Sequence, residues 1–202
     1  MRFIIKGQRR LSGIFRPVGN KNAALPMLTA CLLTDQPVML RNLPRIVDVH
    51  VMLELLEGLG VDVQLDGHAV TLRAQRIRRT RLDRELCRRV RASILFAGPL
   101  VARTGRATLF PPGGDVIGRR RVDTHLLGLR ALGVKIEGGD FFSFRAARRL
   151  RGASLLLDEA SVTATENILM SAATADGVTT ISNAACEPHV QDLGALLNKM
   201  GA

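Results

Sequence analysis

The segment FPPGGDVIGRRRVDTH at positions 110–125 sets one carboxylate, Asp115, between a Pro-Pro-Gly-Gly stem and three consecutive cations, Arg119, Arg120 and Arg121. Proline fixes φ and glycine frees it, so the order predicts a loop with a stiff stem and a pliable tip. An acid on such a tip can protonate a reacting centre while neighbouring arginines hold an anion. A solvated surface turn carries the same residue types. Further candidates sit where helices should begin. VGNKNAALP puts Lys21 and Asn22 at the start of an apolar run, where a lysine can add its charge to backbone N–H groups aimed at an anion, or simply face solvent. RRVRASILFAGPL puts Arg91 at the start of a mostly apolar helix, after a basic run over 76–89 that reads equally as a solvated face or a phosphate patch. LDEASVTATENIL sets Ser161, Thr163 and Thr165 before another apolar helix, suited to N-capping and to holding the polar edge of a ligand. His125 and His189 have no partner at metal-ligand spacing, so no metal site is expected.

The elements that must position these residues repeat. LELLEGLGVDV, LLGLRALGVKI and LGALLNKMGA are three similar helix ends, each closed by a glycine (Gly60, Gly133, Gly201) placed to take a left-handed cap. LLTDQPVMLRN, VARTGRATLFP and AATADGVTTIS form a second set between them, each a helix end, a turn and a strand. One unit is therefore helix, turn, strand, second helix with glycine cap, and a strand pair such as VDVQLDGHAVTLRA. The fold class expected is α/β, a single lobe over 1–202 of three α/β repeats at roughly 20–75, 90–150 and 160–202. The third repeat lacks its strand pair, so it is expected to depend on further residues, such as those of a missing second lobe.

Composition bounds the function. The chain has 202 residues, 47% hydrophobic, enough for one sizeable core. A formal charge of +11 favours an anionic partner. With no Trp, no Tyr and seven Phe there is little for base stacking, which argues against nucleic acid. Cys31, Cys87 and Cys186 are odd in number and far apart, which suits free thiols, expected as small core residues, in a reducing compartment. The longest apolar tract, 23–40, is broken by Pro26, Asp35 and Pro37, and the first ten residues hold no signal-peptide core, so no membrane insertion and a cytoplasmic location are expected.

Read together and in order, KNAALP, RASILFAGPLVAR, PGGDVIGRRRVDTH and SVTATENI resemble the N-terminal half of the UDP-N-acetylglucosamine enolpyruvyl transferase (1-carboxyvinyltransferase) family. The resemblance runs from about residue 3 to Ala202 and implies a two-lobed fold, each lobe of three α/β units. It also implies the reaction, the first committed step of peptidoglycan synthesis. The enolpyruvyl group of phosphoenolpyruvate passes to the 3′-hydroxyl of UDP-N-acetylglucosamine and phosphate is released, without metal or organic cofactor. The implied roles are Asp115 as general acid, a position usually held by cysteine, and Lys21, Asn22 and Arg120 on phosphoenolpyruvate. Arg91, Arg120, Arg121, Val122, Asp123, Thr124, His125, Ser161 and Val162 are implied to line the nucleotide-sugar site. Arg121 stands where the family often has proline and Glu159 where some members have lysine. An aspartate in place of the cysteine implies insensitivity to fosfomycin. The family's general base and further phosphate-binding arginines belong to a second lobe, so this chain by itself is expected to be inactive. The shikimate-pathway enolpyruvyl transferase shares the fold, but KNAALP and the aspartate loop favour the nucleotide-sugar branch. The rival reading is a non-catalytic lobe that binds nucleotide sugar or polyanion.

Overall fold

A computed structural model of the chain describes residues 2–114, 121–147 and 149–202. Asp115, Arg119 and Arg120 lie outside the described residues.

The expected unit is present twice in full. In the first, α1 (Lys21–Ala30) leads to β1 (Val38–Leu40), α2 (Val47–Leu59) and the hairpin β2 (Asp62–Asp66) and β3 (Ala69–Arg73). After a short α3 (Arg84–Arg89), the second runs through a 3-10 turn at Arg91–Phe96 into α4 (Ala97–Thr104). It continues with β4 (Arg106–Leu109), α5 (Asp123–Ala131), β5 (Lys135–Glu137) and β6 (Phe142–Arg145). The third has β7 (Ser154–Leu156), α6 (Val162–Ala172), β8 (Thr180–Ser182) and α7 (Pro188–Lys199). The two complete units give antiparallel sheets in the order β1-β3-β2 and β4-β6-β5, whereas β7 and β8 pair in parallel. An isolated parallel bridge from Arg81 to Thr108 flanks β4 as β7 flanks β8.

The three glycines do what their positions predict. Gly60, Gly133 and Gly201 take φ of 97°, 93° and 98°, the left-handed region that a β-carbon disfavours, and so end α2, α5 and α7. The first helix of each unit lies inside: Leu28, Phe96, Leu100, Ile168 and Met170 are fully buried where α1, the 3-10 turn with α4, and α6 meet. On α7, Leu193 and Leu197 are buried, with Leu196 and Met200 against the same core.

Two expectations change. Cys31 and Cys87 are core residues, but Cys186 is exposed, because it sits on the loop that leads into α7. The Gly-Gly pair is pinned rather than free: the N–H of Gly113 donates to the Cys87 carbonyl at 2.9 Å and that of Gly114 to Arg88 at 3.1 Å. A β-carbon on Gly113 would strike the Arg88 backbone, so glycine is needed there for close approach. No helix among the described residues is long and apolar enough to cross a membrane.

Candidate functional site

The three inner helices begin side by side. Asn20 caps α1, its Oδ1 accepting from the N–H groups of Asn22 at 2.8 Å and Ala23 at 3.3 Å. Ser161 caps α6, its Oγ accepting from Ala164 N–H at 3.4 Å. Arg91 opens the 3-10 turn that runs into α4. Residues from all three starts, Lys21, Asn22, Arg91 and Thr163, line one cavity of about 180 Å³ together with Asp48 and Gly114. Helix starts present unpaired N–H groups and the positive end of the backbone dipole, so their convergence beside a lysine and an arginine favours an anion. Lys21 Nζ is ion-paired to Asp48 Oδ2 at 2.5 Å and both side chains are partly exposed, so a stronger anion can compete for the ammonium. Gly114 brings the end of the described part of the acid-bearing loop to this cavity.

A larger cavity, about 820 Å³, lies on the outer face of β4-β6-β5 and is bordered by Arg106, Lys135 and Arg145. It shares no lining residue with the cavity at the helix starts. The smaller one, where backbone donors and functional side chains converge, is the better candidate.

Residues 121–125 divide between solvent and interior. Arg121 Nε donates to Asp123 Oδ2 at 2.9 Å and its Nη2 to Asp158 Oδ2 at 3.0 Å. The Asp123 hydrogen bond, with the two carboxylate charges, holds the guanidinium more firmly protonated than usual. Arg91 joins this group by donating from Nη2 to the Arg121 carbonyl at 2.9 Å. Val122 precedes the first turn of α5 and packs partly buried against the core. Thr124 is buried and donates to Asp158 Oδ1 at 2.7 Å, which, ahead of the Arg121 charge, lowers the Asp158 carboxyl below its usual range. His125 is only 2% exposed and both ring nitrogens are taken by protein groups, Thr163 Oγ1 at 3.0 Å and Asn167 Nδ2 at 3.1 Å. Burial, reinforced by the Arg91 charge, pushes its pKa down to about 3, so the ring is neutral. Direct contact with a ligand was expected of Thr124 and His125; in this structure both side chains are buried and bonded to protein groups, Thr124 to Asp158 and His125 to Thr163 and Asn167.

Lys21, Asn22 and Arg91 thus line one cavity, Val162 lines a neighbouring one that shares Asn22 and Thr163 with it, and Ser161 stands at the cap of α6 beside them. Four residues were missed as site members: Asp48, Asp158, Glu166 and Asn167. For the last two a signal existed, because Glu and Asn interrupt the apolar run of ATENILM on a helix face that had to be buried. Glu166 is 1% exposed, its Oε1 has no hydrogen-bond partner among the described residues, and burial with the nearby Glu187 charge raises its pKa to about 8. Asp48 and Asp158 carry no such signal. Among the described residues no group of three or more His, Cys, Asp or Glu could hold a metal ion.

The fold defines a class, and comparison with known proteins agrees. The EPSP synthase (3-phosphoshikimate 1-carboxyvinyltransferase) profile matches residues 5–202, so the chain belongs to that family. Within it, the chain is 51% identical over 201 residues to UDP-N-acetylglucosamine 1-carboxyvinyltransferase of Treponema denticola, and 53% identical over 203 residues to that of Bradyrhizobium diazoefficiens. Those alignments cover 99% and 100% of this chain but 47% of each relative, so the chain spans about half the length of the curated relatives it matches. Among solved structures, the enolpyruvyl transferase NikO from Streptomyces tendae superposes with a TM-score of 0.81 at 26% identity, over 97% of this chain and 46% of that one. An EPSP synthase from Acinetobacter baumannii, TM-score 0.70 at 16% identity over 89% of this chain and 42% of that one, shares the fold.

Proposed function

We propose that this chain forms one half of an enzyme that transfers the enolpyruvyl group of phosphoenolpyruvate to the 3′-hydroxyl of UDP-N-acetylglucosamine, a cytoplasmic step of peptidoglycan synthesis. The observation that carries the reading is the meeting of Lys21, Asn22, Arg91 and Thr163 at three adjacent helix starts. In the reaction the sugar hydroxyl adds to C2 of phosphoenolpyruvate while an acid protonates C3. Loss of that proton and of phosphate then restores the double bond. Lys21, Asn22 and Arg120 hold the phosphate, and Asp115 supplies the proton. Arg91, Arg121, Val122, Asp123, Ser161 and Val162 face the nucleotide sugar, with Thr124 and His125 behind them.

The test joins this chain in frame to the second half of the Treponema denticola relative and follows phosphate release. Release that needs both substrates and is lost in Lys21→Ala and Asp115→Ala is expected; release unaffected by either substitution overturns the reading. A carboxylate is a far poorer nucleophile than a thiolate. The joined enzyme is therefore expected to form no covalent adduct with fosfomycin by mass spectrometry, while an Asp115→Cys variant forms one. An adduct mapped to Asp115 contradicts this.

A further inference from the structure

The partners of Asn167 fix its amide. Gly98 N–H donates to Asn167 Oδ1 at 2.7 Å, and Asn167 Nδ2 donates to the Ile94 carbonyl at 2.8 Å. A flipped amide would set oxygen against oxygen and N–H against N–H, so the orientation follows from chemistry. The second hydrogen on Nδ2 points at His125 Nδ1, which must therefore be the unprotonated acceptor. A neutral imidazole with a bare Nδ1 carries its proton on Nε2, and that N–H must donate to Thr163 Oγ1. The Thr163 oxygen is thereby committed as an acceptor, and its own hydrogen has no acceptor among the described residues. Thr163 is half-buried and lines the cavity with Lys21, Asn22 and Arg91.

We infer that Asn167 and His125 are positioning residues that turn the Thr163 hydroxyl into a fixed hydrogen-bond donor directed into the cavity, where it selects ligands that present an anionic oxygen. The chain of donors runs one way only, from the Gly98 N–H at the core through Asn167 Nδ2 and His125 Nε2 to the cavity wall. Reversal would need the imidazole proton on Nδ1 and a bare Nε2, which would set that N–H against the N–H of Asn167 Nδ2. Thr163 adds a directional donor where Lys21 and Arg91 add charge, so a bound oxygen is held in position as well as attracted. The inference rests on the proposed site, and the ligand class is a carboxylate or phosphoryl oxygen.

Two measurements test it, the first on the 202-residue chain and the second on the joined enzyme. Long-range proton–nitrogen NMR of the imidazole rings is expected to find His125 as the Nε2-protonated tautomer and unchanged down to about pH 5, since its pKa is about 3. An Nδ1-protonated ring, or a doubly protonated one at that pH, overturns the inference. Phosphoenolpyruvate is then titrated against the joined enzyme and three of its variants. Thr163→Val is expected to weaken binding about tenfold, the usual effect of losing a donor to a charged acceptor. Thr163→Ser should stay within about twofold, because it keeps the hydroxyl. Lys21→Ala separates this inference from the proposed function: loss with Lys21→Ala but not with Thr163→Val sinks the hydroxyl alone. No binding by the unaltered joined enzyme, or equal binding by all four proteins, sinks both.

Discussion

Two polar networks share the stretch 121–125 and teach different lessons. Around Arg121 the network is charged and open to water: Asp123, Asp158 and Arg121 each keep a third or more of their side-chain surface exposed. Around Asn167 it is neutral and dry, with Asn167, His125 and Ser171 all at most 2% exposed. Exposed ion pairs are screened and give little net stability, whereas buried neutral donors and acceptors are costly to leave unmatched. The buried network is therefore expected to set stability and geometry, and the exposed one to offer exchangeable charge to a ligand.

The largest expected effect comes from emptying the buried network. Asn167→Ala strands the Gly98 N–H, the Ile94 carbonyl and His125 Nδ1, at about 1–3 kcal/mol each. A loss of roughly 3 kcal/mol or more should lower the midpoint by roughly 6–12 °C in calorimetry, and a shift of a degree or two would mean that water replaces the amide. Next comes Glu166. Its folded pKa of about 8 lies above the unfolded value, so the folded state holds its proton while the unfolded chain has released it. Its contribution is fully present below the unfolded carboxyl range and is lost as pH rises toward 8, on the order of 1 kcal/mol per pH unit. Denaturant midpoints should therefore fall from pH 5 to pH 8 and fall less in Glu166→Gln; parallel profiles would show that Glu166 does not hold the proton. His125 acts in the opposite sense, its contribution being lost as pH falls from the ordinary histidine range toward 3.

A smaller loss is expected from Gly98→Ala. Its β-carbon would meet Asn167 Oδ1 and Ser171 Oγ where α4 lies against α6, so crowding of about 1–3 kcal/mol is partly offset by the better helix propensity of alanine. Gly98→Ala should weaken the His125 tautomer preference along with stability, and a variant more stable than the parent contradicts the close approach. Smallest of all is Arg121→Ala, which should leave the thermal midpoint unchanged within error while weakening nucleotide-sugar binding; a clear drop in the midpoint would place the exposed network in the structural role.

The contrast also explains what was legible beforehand. The unit order, the glycine caps and the helix starts at Lys21, Arg91 and Ser161 follow from local chemistry: apolar spacing, positive φ and capping side chains. The hydrogen bonds of Thr124 and His125 were not legible because their partners, Asp158, Thr163 and Asn167, come from α6 and the turn before it, more than thirty positions away. Nor does composition separate packed apolar residues from unpacked ones. Phe3, Ile5, Leu11, Ile14 and Phe15 have the letters of core residues and are at least 81% exposed, while the lobe proper begins at α1.

The most direct test of the central claim, that the three helix starts form one specific anion site, is calorimetric titration of UDP-N-acetylglucosamine against the joined enzyme carrying Arg91→Ala or Arg79→Ala. Arg91 lines the cavity and Arg79 lies on the basic surface run outside it. About tenfold weaker binding is expected for Arg91→Ala and a change within about twofold for Arg79→Ala. Equal losses would contradict it and assign the affinity to the general positive charge of the chain.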